Sequence, residues 1–374
     1  MKLFTQTSQQ NAAPEILCQY LSLERSALEK CLFFDIETTG FSADRCLCYL
    51  IGAAYRNKKT WEIRQWLAEN PKEEKEVLSS FFDFASSYSR LIHFNGNQFD
   101  IPFLAKRASH WELPFPLEHL DSFDLFKKVS PFKKILGLPH CRQKDIENFL
   151  KIHREDLYTG GQLIPVYEAY VKTENASSKE LENVLLLHNT EDVKGLLEIL
   201  PILSYPNLFA NSPQNIELSQ ETSASLLLKM TLPSPLPIPL QFENAGISFS
   251  GKGEAGLLEV PLYKGELKHF YPDYRDYYYF EKEDMAIHKS VAIYSEKASR
   301  QKATPETAYI KKSGVFLPYP EKSPQSAPRK VLLFRESHDS KNAYFLFQES
   351  FLKDQEALSL YALQALRMCG LPSI

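Results

Sequence analysis

The chain has 374 residues, 44% of them hydrophobic and 24% charged, which excludes wholesale disorder and fibrous or low-complexity classes and leaves length for one large or two ordinary domains. With 43 basic against 47 acidic residues the formal net charge is −4, so the whole-chain balance offers no argument for a polyanionic partner. No two cysteines have zinc-knuckle or thioredoxin spacing, the start lacks a signal-like apolar run, and no stretch approaches the ~18 apolar residues of a membrane span, so a reduced cytoplasmic setting away from membranes is expected.

In chain order, Leu32 to Ile36 is a short apolar run ending in charge and Leu47 to Tyr55 is a longer one. Thr60 to Leu67 alternates, after a turn at Asn57, Lys58 and Lys59. These predict a three-strand meander. Lys72 to Ser87 carries Val77, Leu78, Phe81, Phe82, Phe84 and Ala85 at helical spacing behind Pro71, a first-turn proline. Leu91 to Phe94 predicts a fourth strand, Ile101 to Ala108 a helix entered through Pro102, and Leu117 to Leu120 a fifth strand; the rest to about Leu203 is mostly helical. A meander followed by strand–helix alternation predicts an α/β fold, a mixed sheet with helices on its faces, because strands joined through helices run parallel.

Seven of the 23 prolines fall between Pro201 and Leu240, four of them in TLPSPLPIPL. Locked φ and missing N–H donors argue there against a helix or central strand, so residues 205–242 are expected to form a junction between residues 1–204 and an accessory α+β domain, 243–374. In that second half, strands or hairpins are expected over Gly256 to Phe280, a helix over Glu283 to Ser299, strands at Lys330 to Arg335 and Ala343 to Gln348, and a helix over Asp354 to Met368.

Three segments carry chemistry. In FFDIETTGF, Asp35 and Glu37 are two apart at a strand end, so both carboxylates share one face while Ile36 points away. Two like charges so close repel; a divalent cation with its preference for carboxylate oxygens would resolve the conflict, and a strand simply ending in solvent would avoid it. In HFNGNQFDIPFL, Asn95, Gly96 and Asn97 suit a tight turn before a helix whose first turn holds Asp100, as a site acid or as a complement to the helix dipole. In LLLHNTEDVKGLLEIL, His188 and Asp192 are four apart on one helix face, either a base beside a metal-bound acid or a surface pair. Asp121 and Asp124 are set aside, helix capping being a sufficient role for Asp121.

The order DIETTG, NGNQFDIPFL, HNTEDV around this strand pattern resembles the DEDD exonuclease superfamily with its ribonuclease H-like fold, specifically its bacterial YprB-like branch, over roughly residues 30 to 200. The resemblance implies a metal-dependent 3′→5′ exonuclease using two Mg²⁺ or Mn²⁺ ions on single-stranded DNA or RNA, or on nucleic acid with a free 3′ end. It assigns the metals to Asp35, Glu37, Asp100 and Asp192, the base role to His188, and the terminal nucleotide to Thr38, Asn95, Asn97 and Phe99. In the histidine subclass the histidine precedes the last acid by five residues; His188 precedes Asp192 by four, the spacing of the tyrosine subclass. Two rivals are a non-catalytic nucleic-acid-binding or scaffold protein that keeps the fold, and a metal-dependent phosphatase, whose opening FFDIETT resembles.

Residues 205 to 374 hold 19 basic and 19 acidic side chains, which assigns the whole net −4 to the first half. Between Met285 and Arg335, however, ten Lys or Arg face three Glu, just after the aromatic run HFYPDYRDYYYF. Cations beside rings suit a single-stranded nucleic acid, and they equally suit a solvated basic face over a small core.

Overall fold

The strand that carries Asp35 and Glu37 lies at the middle of a six-stranded sheet. In the computed structural model, which describes residues 1–8, 14–156, 158–173, 177–222, 224–319 and 331–371, the chain forms two compact units, Met1–Pro206 and Asn207–Ile374. The strands of the first unit are β1 (Lys2–Ser8), β2 (Cys31–Thr38), β3 (Cys48–Asn57), β4 (Thr60–Leu67), β5 (Arg90–His93) and β6 (Asp121–Asp124), in spatial order β1-β4-β3-β2-β5-β6. The contacts β1–β4, β4–β3 and β3–β2 are antiparallel, whereas β2–β5 and β5–β6 are parallel, so the mixed sheet expected from the element order is present. Its core includes Leu32, Phe33 and Phe34 of β2, Tyr49, Leu50 and Ile51 of β3 and Trp66 of β4, all fully or almost fully buried.

Two strands escaped the hydrophobic pattern. β1 is mostly exposed along its length and gains its place through backbone pairing to β4, so it has no apolar signature. β6 falls at Asp121–Asp124 and not at Leu117–Leu120, where a 3₁₀ turn forms behind Pro116. Asp121 does not cap a helix: it opens β6 and pairs with Arg90 at 2.6 Å, while Asp124 accepts from Phe126 N and caps the next helix.

The helices of the first unit are α1 (Pro14–Leu21), α2 (Arg25–Leu28), α3 (Glu74–Ala85), α4 (Asp100–His110), α5 (Leu125–Val129), α6 (Gln143–Phe149), α7 (Gly160–Lys172) and α8 (Ser177–Glu198). Buried Glu74 of α3 ties three elements together. Its carboxylate accepts from Cys48 N at the start of β3, from Trp111 Nε1 and from Nε and Nη2 of Arg107 in α4, and Arg107 Nη1 donates to Ala43 O. Among the described residues, no helix is long and apolar enough to cross a membrane.

The proline-rich stretch departs from the expectation of a strandless junction. Ser225–Asn244 is one long strand of the second unit, between Gln214–Glu221 and Ile247–Pro261. Pro233, Pro235, Pro237 and Pro239 alternate, so their ring nitrogens share one edge, and pairing to Gln214–Glu221 stops at Thr231 before they begin. Pairing to Ile247–Pro261 is irregular over the same stretch, its register slipping between Thr231 and Leu236 and again between Leu236 and Leu240, so a regular ladder does not call on the donors the prolines lack. Two further sheets and a terminal helix, Gln355–Gly370, complete the unit. Glu283 to Ser299 is not a helix: Met285–His288 is a strand paired with Tyr277–Phe280, followed by a single helical turn at Lys289–Ala292. Leu333–Phe334 and Ala343–Leu346 are paired strands; Lys330, Arg329, Lys322 and Glu321 lie outside the described residues.

Arg107→Met strands the Glu74 carboxylate in a buried position without its charge partner. It should destabilise the first unit by about 3–5 kcal/mol. All three tryptophans (Trp61, Trp66 and Trp111) belong to this unit, so their fluorescence during urea unfolding measures it. An unchanged midpoint would show that the pair adds nothing.

Candidate active site

β2 delivers two carboxylates because its side chains alternate. Asp35 is opposite Gly52 and Glu37 opposite Leu50 on β3, and the register slips between Glu37 and Thr38, where the strand leaves the sheet. Gly52 lets α8 approach. A Cβ there would come within 2.0 Å of Asn189 Oδ1 and 2.8 Å of Val193 Cγ2, so any side chain would push the helix off the sheet. Buried Asn189 also accepts from Gln65 Nε2 of β4 at 3.0 Å, and the same amide reaches Leu186 O. One turn of α8 is thereby pinned between β3 and β4, with His188 and Asp192 beside it.

Asp100 arrives from the first turn of α4. The backbone N–H groups of Asp100 itself and of Ile36, the residue between the two acids of β2, favour its charged form and work against its burial. The turn before it is held by buried Asp124, whose Oδ1 accepts from Asn95 N at 2.9 Å. Asn95 sits at φ +62, a left-handed position that asparagine tolerates.

His188 is 2% exposed. Its Nδ1 is 2.7 Å from Asp156 Oδ2, while Nε2 is 3.1 Å from Asp192 Oδ2 and 3.5 Å from Glu37 Oε1. Glu37, His188 and Asp192 each offer a ligand atom, all within 4.8 Å of one another. Arg154 completes this side of the cluster, its Nη1 2.6 Å from Asp192 Oδ1 and 3.2 Å from Glu147 Oε2 of α6. Helix α6 lies close on α8 at Gly195, where Gln143 Nε2 also donates to Asp192 O at 2.8 Å.

The charges divide the four acids into three and one. Burial, and then the charges of Asp192, Asp100 and Glu37, drive the Asp35 carboxyl well above the ordinary range. Burial with Asp192, Asp100 and Asp156 lifts Glu37 to about 8 against the pull of His188, and burial with Asp124 and Asp192 lifts Asp100 to about 7. Asp192 moves the other way: burial would raise it, but His188 and Arg154 outweigh that and lower it. Burial alone would lower His188, yet Asp192, Glu37 and Asp156 push it up to about 9. Three carboxylates therefore carry repulsion that the protein leaves uncompensated, a donor set whose chemistry suits divalent cations that prefer oxygen ligands.

The other residues singled out from the sequence are spread along the edge of this cluster. Thr38 Oγ1 donates to Gly40 O at 2.9 Å and closes the turn after β2. Asn97 Oδ1 accepts from Ser122 Oγ at 2.6 Å, and Ser122 is also bonded to Nε2 of buried His93. Because Gly96 N donates to His93 Nδ1, the proton of that ring is on Nε2, and Ser122 in turn donates to Asn97, a bond that uses the amide oxygen and not its N–H groups. Phe99 packs edge-on against Phe41, which is 92% exposed, and against Phe103. Arg154 and Asp156 were not singled out in the sequence and Asp124 was set aside; Asp124 acts on Asn95, 29 positions away, and Asp156 on His188, 32 positions away.

In the second unit the basic stretch is partly neutralised from outside its own span. Lys289 pairs with Asp276, and Lys311 with Glu266 and Asp284. Tyr279 and Tyr309 both donate to Asp284, and Tyr271 stacks on Tyr277 at 4.2 Å. Arg300 lies over the Tyr278 ring, 5.0 Å from its centroid, and Lys302 is opposite Tyr278 across the sheet.

Comparison with known proteins follows the same division. Residues 32–204 match the RNase_H superfamily, and no curated protein matches the chain. Among solved structures the chain is similar to the family B DNA polymerase of the hyperthermophilic archaeon Pyrobaculum calidifontis, at 15% identity and TM-score 0.36, over 66% of this chain and 35% of that one. It is also similar to E. coli exonuclease I in complex with single-stranded DNA. The zinc-bound form gives 10% identity and TM-score 0.30 over 55% and 54% of the two chains, the metal-free form 9% and 0.32 over 54% and 53%. The chain thus covers between 35% and 54% of the length of these proteins. The match over residues 32–204 falls on the N-terminal unit, whose mixed sheet and flanking helices fit the RNase_H superfamily.

Proposed function

We propose that the first unit is a metal-dependent 3′→5′ exonuclease that hydrolyses phosphodiester bonds of single-stranded DNA or RNA. The observation that supports this reading is the gathering of Glu37 from β2 with His188 and Asp192 from α8 within 4.8 Å, beside Asp35 on the same strand and within electrostatic reach of Asp100 from α4. Asp35, Glu37 and Asp100 would hold two Mg²⁺ or Mn²⁺ ions, with Asp192 sharing its oxygens between them and its partners Arg154 and His188. When bound, such a pair of cations stabilises both the attacking and the leaving oxygen of an in-line displacement.

The chain's own residues do the rest. His188 turns Nε2 toward Glu37 and Asp192; with those carboxylates engaged by cations the pull that raises the ring would be relieved, and the neutral Nε2 would orient the attacking water and receive its proton. The Asn97 amide N–H groups would donate to an acceptor on the terminal nucleotide, beside Asn95 and Thr38, and the paired rings of Phe99 and Phe41 offer a surface for its base. Arg300 and Lys302 beside Tyr278 would make the second unit an accessory holder of the strand.

The direct test is incubation of end-labelled single-stranded DNA and RNA with Mg²⁺ or Mn²⁺. A ladder shortening from the 3′ end is expected, abolished by chelation and reduced more than about 100-fold by Asp35→Ala. Binding without turnover would favour the non-catalytic rival, and activity surviving both treatments would remove the two-cation reading. Arg300→Glu with Lys302→Glu should raise KM for long strands severalfold and leave kcat unchanged; equal KM would remove the accessory role.

The electrostatics make a separate prediction for stability. Asp35, Glu37 and Asp100 have folded values above their unfolded ones, so between about pH 4 and pH 8 the folded state binds more protons, and stability falls as pH rises. His188 adds to the fall: its contribution is full below 6.5 and lost as pH rises through about 9. Asp192 opposes only at acid pH, its contribution being present above 3.8 and lost below. The metal-free first unit, followed by tryptophan fluorescence, should therefore melt lower at about pH 9 than at about pH 6. Millimolar Mn²⁺ should reverse the loss and Asp100→Asn should flatten it. A melting temperature flat across this range would contradict the uncompensated cluster.

A further inference from the structure

Behind the carboxylates lies a second layer of charged side chains from the connection between α6 and α7. Asp156 is buried, its Oδ1 accepting from Tyr158 N at 3.0 Å and its Oδ2 2.7 Å from His188 Nδ1. An ionised carboxylate only accepts, so the proton between these atoms belongs to Nδ1 in either charge state of the ring. Nε2 is then the nitrogen that meets Asp192 and Glu37. Two residues earlier, Arg154 takes the remaining oxygen of Asp192, so that Oδ1 is held by a guanidinium and Oδ2 by the imidazole.

Packing does not account for this layer. Arg154 is within 4 Å of carboxylate oxygens of Glu147, Asp156, Glu191 and Asp192, yet its Nε and Nη2 are buried without a hydrogen-bond partner. Burying so many ionic groups on a connection costs desolvation that apolar residues of the same size would avoid. What the arrangement provides is orientation, because each side chain that reaches the cluster from α8 has its far side fixed by a charged partner.

We propose that Asp156 and Arg154 are positioning residues of the site, Asp156 fixing the proton and ring plane of His188 and Arg154 fixing the carboxylate of Asp192. The consequence for rate rests on the nuclease reading; the orientation of the ring does not.

Full-length protein labelled with ¹⁵N-histidine allows the two to be separated. In the metal-free wild type, long-range ¹H–¹⁵N spectra should show His188 protonated at Nδ1, the resonance being assigned by its loss in His188→Gln. Asp156→Asn, whose amide can donate, should shift or broaden that signal, and Asp156→Ser is the second variant should the first unfold. An unprotonated Nδ1 in the wild type, or a spectrum indifferent to Asp156→Asn, overturns the proposal. In the nuclease assay, Asp156→Asn should lower kcat about 10–100-fold with KM within about twofold, and the loss should vanish in a His188→Gln background. An equal loss in that background also overturns it, since a merely structural residue would behave so. Arg154→Lys, which keeps the charge and loses the fork, should lower kcat with the His188 spectrum unchanged; full activity would remove Arg154 from the pair. Should Asp35→Ala leave turnover intact, the nuclease reading fails on that result, and the His188 spectrum decides the orientation alone.

Discussion

Three carboxylates that repel one another and have been drawn out of water are the constraint around which the first unit is organised. Left to themselves, Asp35, Glu37 and Asp100 would separate or take up protons, and their raised pKa values record that tendency. Only a stiff scaffold can hold them. β2 is an interior strand bonded on both sides, and its apolar residues Leu32, Phe33 and Phe34 are buried, so neither Asp35 nor Glu37 can move away without disturbing the middle of the sheet. The two helices that bring the other acids are clamped independently, α4 through Arg107 on Glu74 and α8 through Asn189 on Gln65 over Gly52.

Asp192 relieves the constraint on one side. Its counter-ions His188 and Arg154 hold it ionised, so the cluster is asymmetric: one carboxylate is kept charged by the protein and three are pushed toward their protonated forms. That asymmetry has a cost of its own, because Arg154 and Asp156 must be buried to supply it. A stabilising role would be better filled by apolar side chains, and so the charged second layer belongs with the chemistry of the cluster.

The part of this arrangement that local periodicity governs was legible in the sequence. A period of two put Asp35 and Glu37 on one face, a spacing of four put His188 beside Asp192, and a turn before Asp100 aimed it at the same edge. What depends on tertiary contact was not. β1 and β6 are short or exposed strands made by backbone pairing, which leaves no apolar imprint. Asp156 and Arg154 sit in a charged connection where nothing in HREDLY distinguishes a buried partner from a solvated one. The prolines of Ser225–Asn244 misled for a related reason: a missing donor excludes a strand only if a neighbour needs that donor, and along the prolines pairing to one neighbour has ended and the register to the other slips.

Charge shows the same limit most clearly. A count along the chain found acids balancing bases, and a count within Met285 to Arg335 found a strong excess of bases. Both counts miss the partners, since Asp276, Asp284 and Glu266 lie outside that window and yet neutralise Lys289 and Lys311 inside it. The quantity with physical consequences is the charge left without a partner after folding. In the first unit it is concentrated on Asp35, Glu37 and Asp100; in the second, Arg300 lies over an aromatic ring and Lys302 is opposite the same ring across the sheet. A near-neutral chain can therefore concentrate acids at one place and bases at another, because net charge sums over groups whose local surroundings differ.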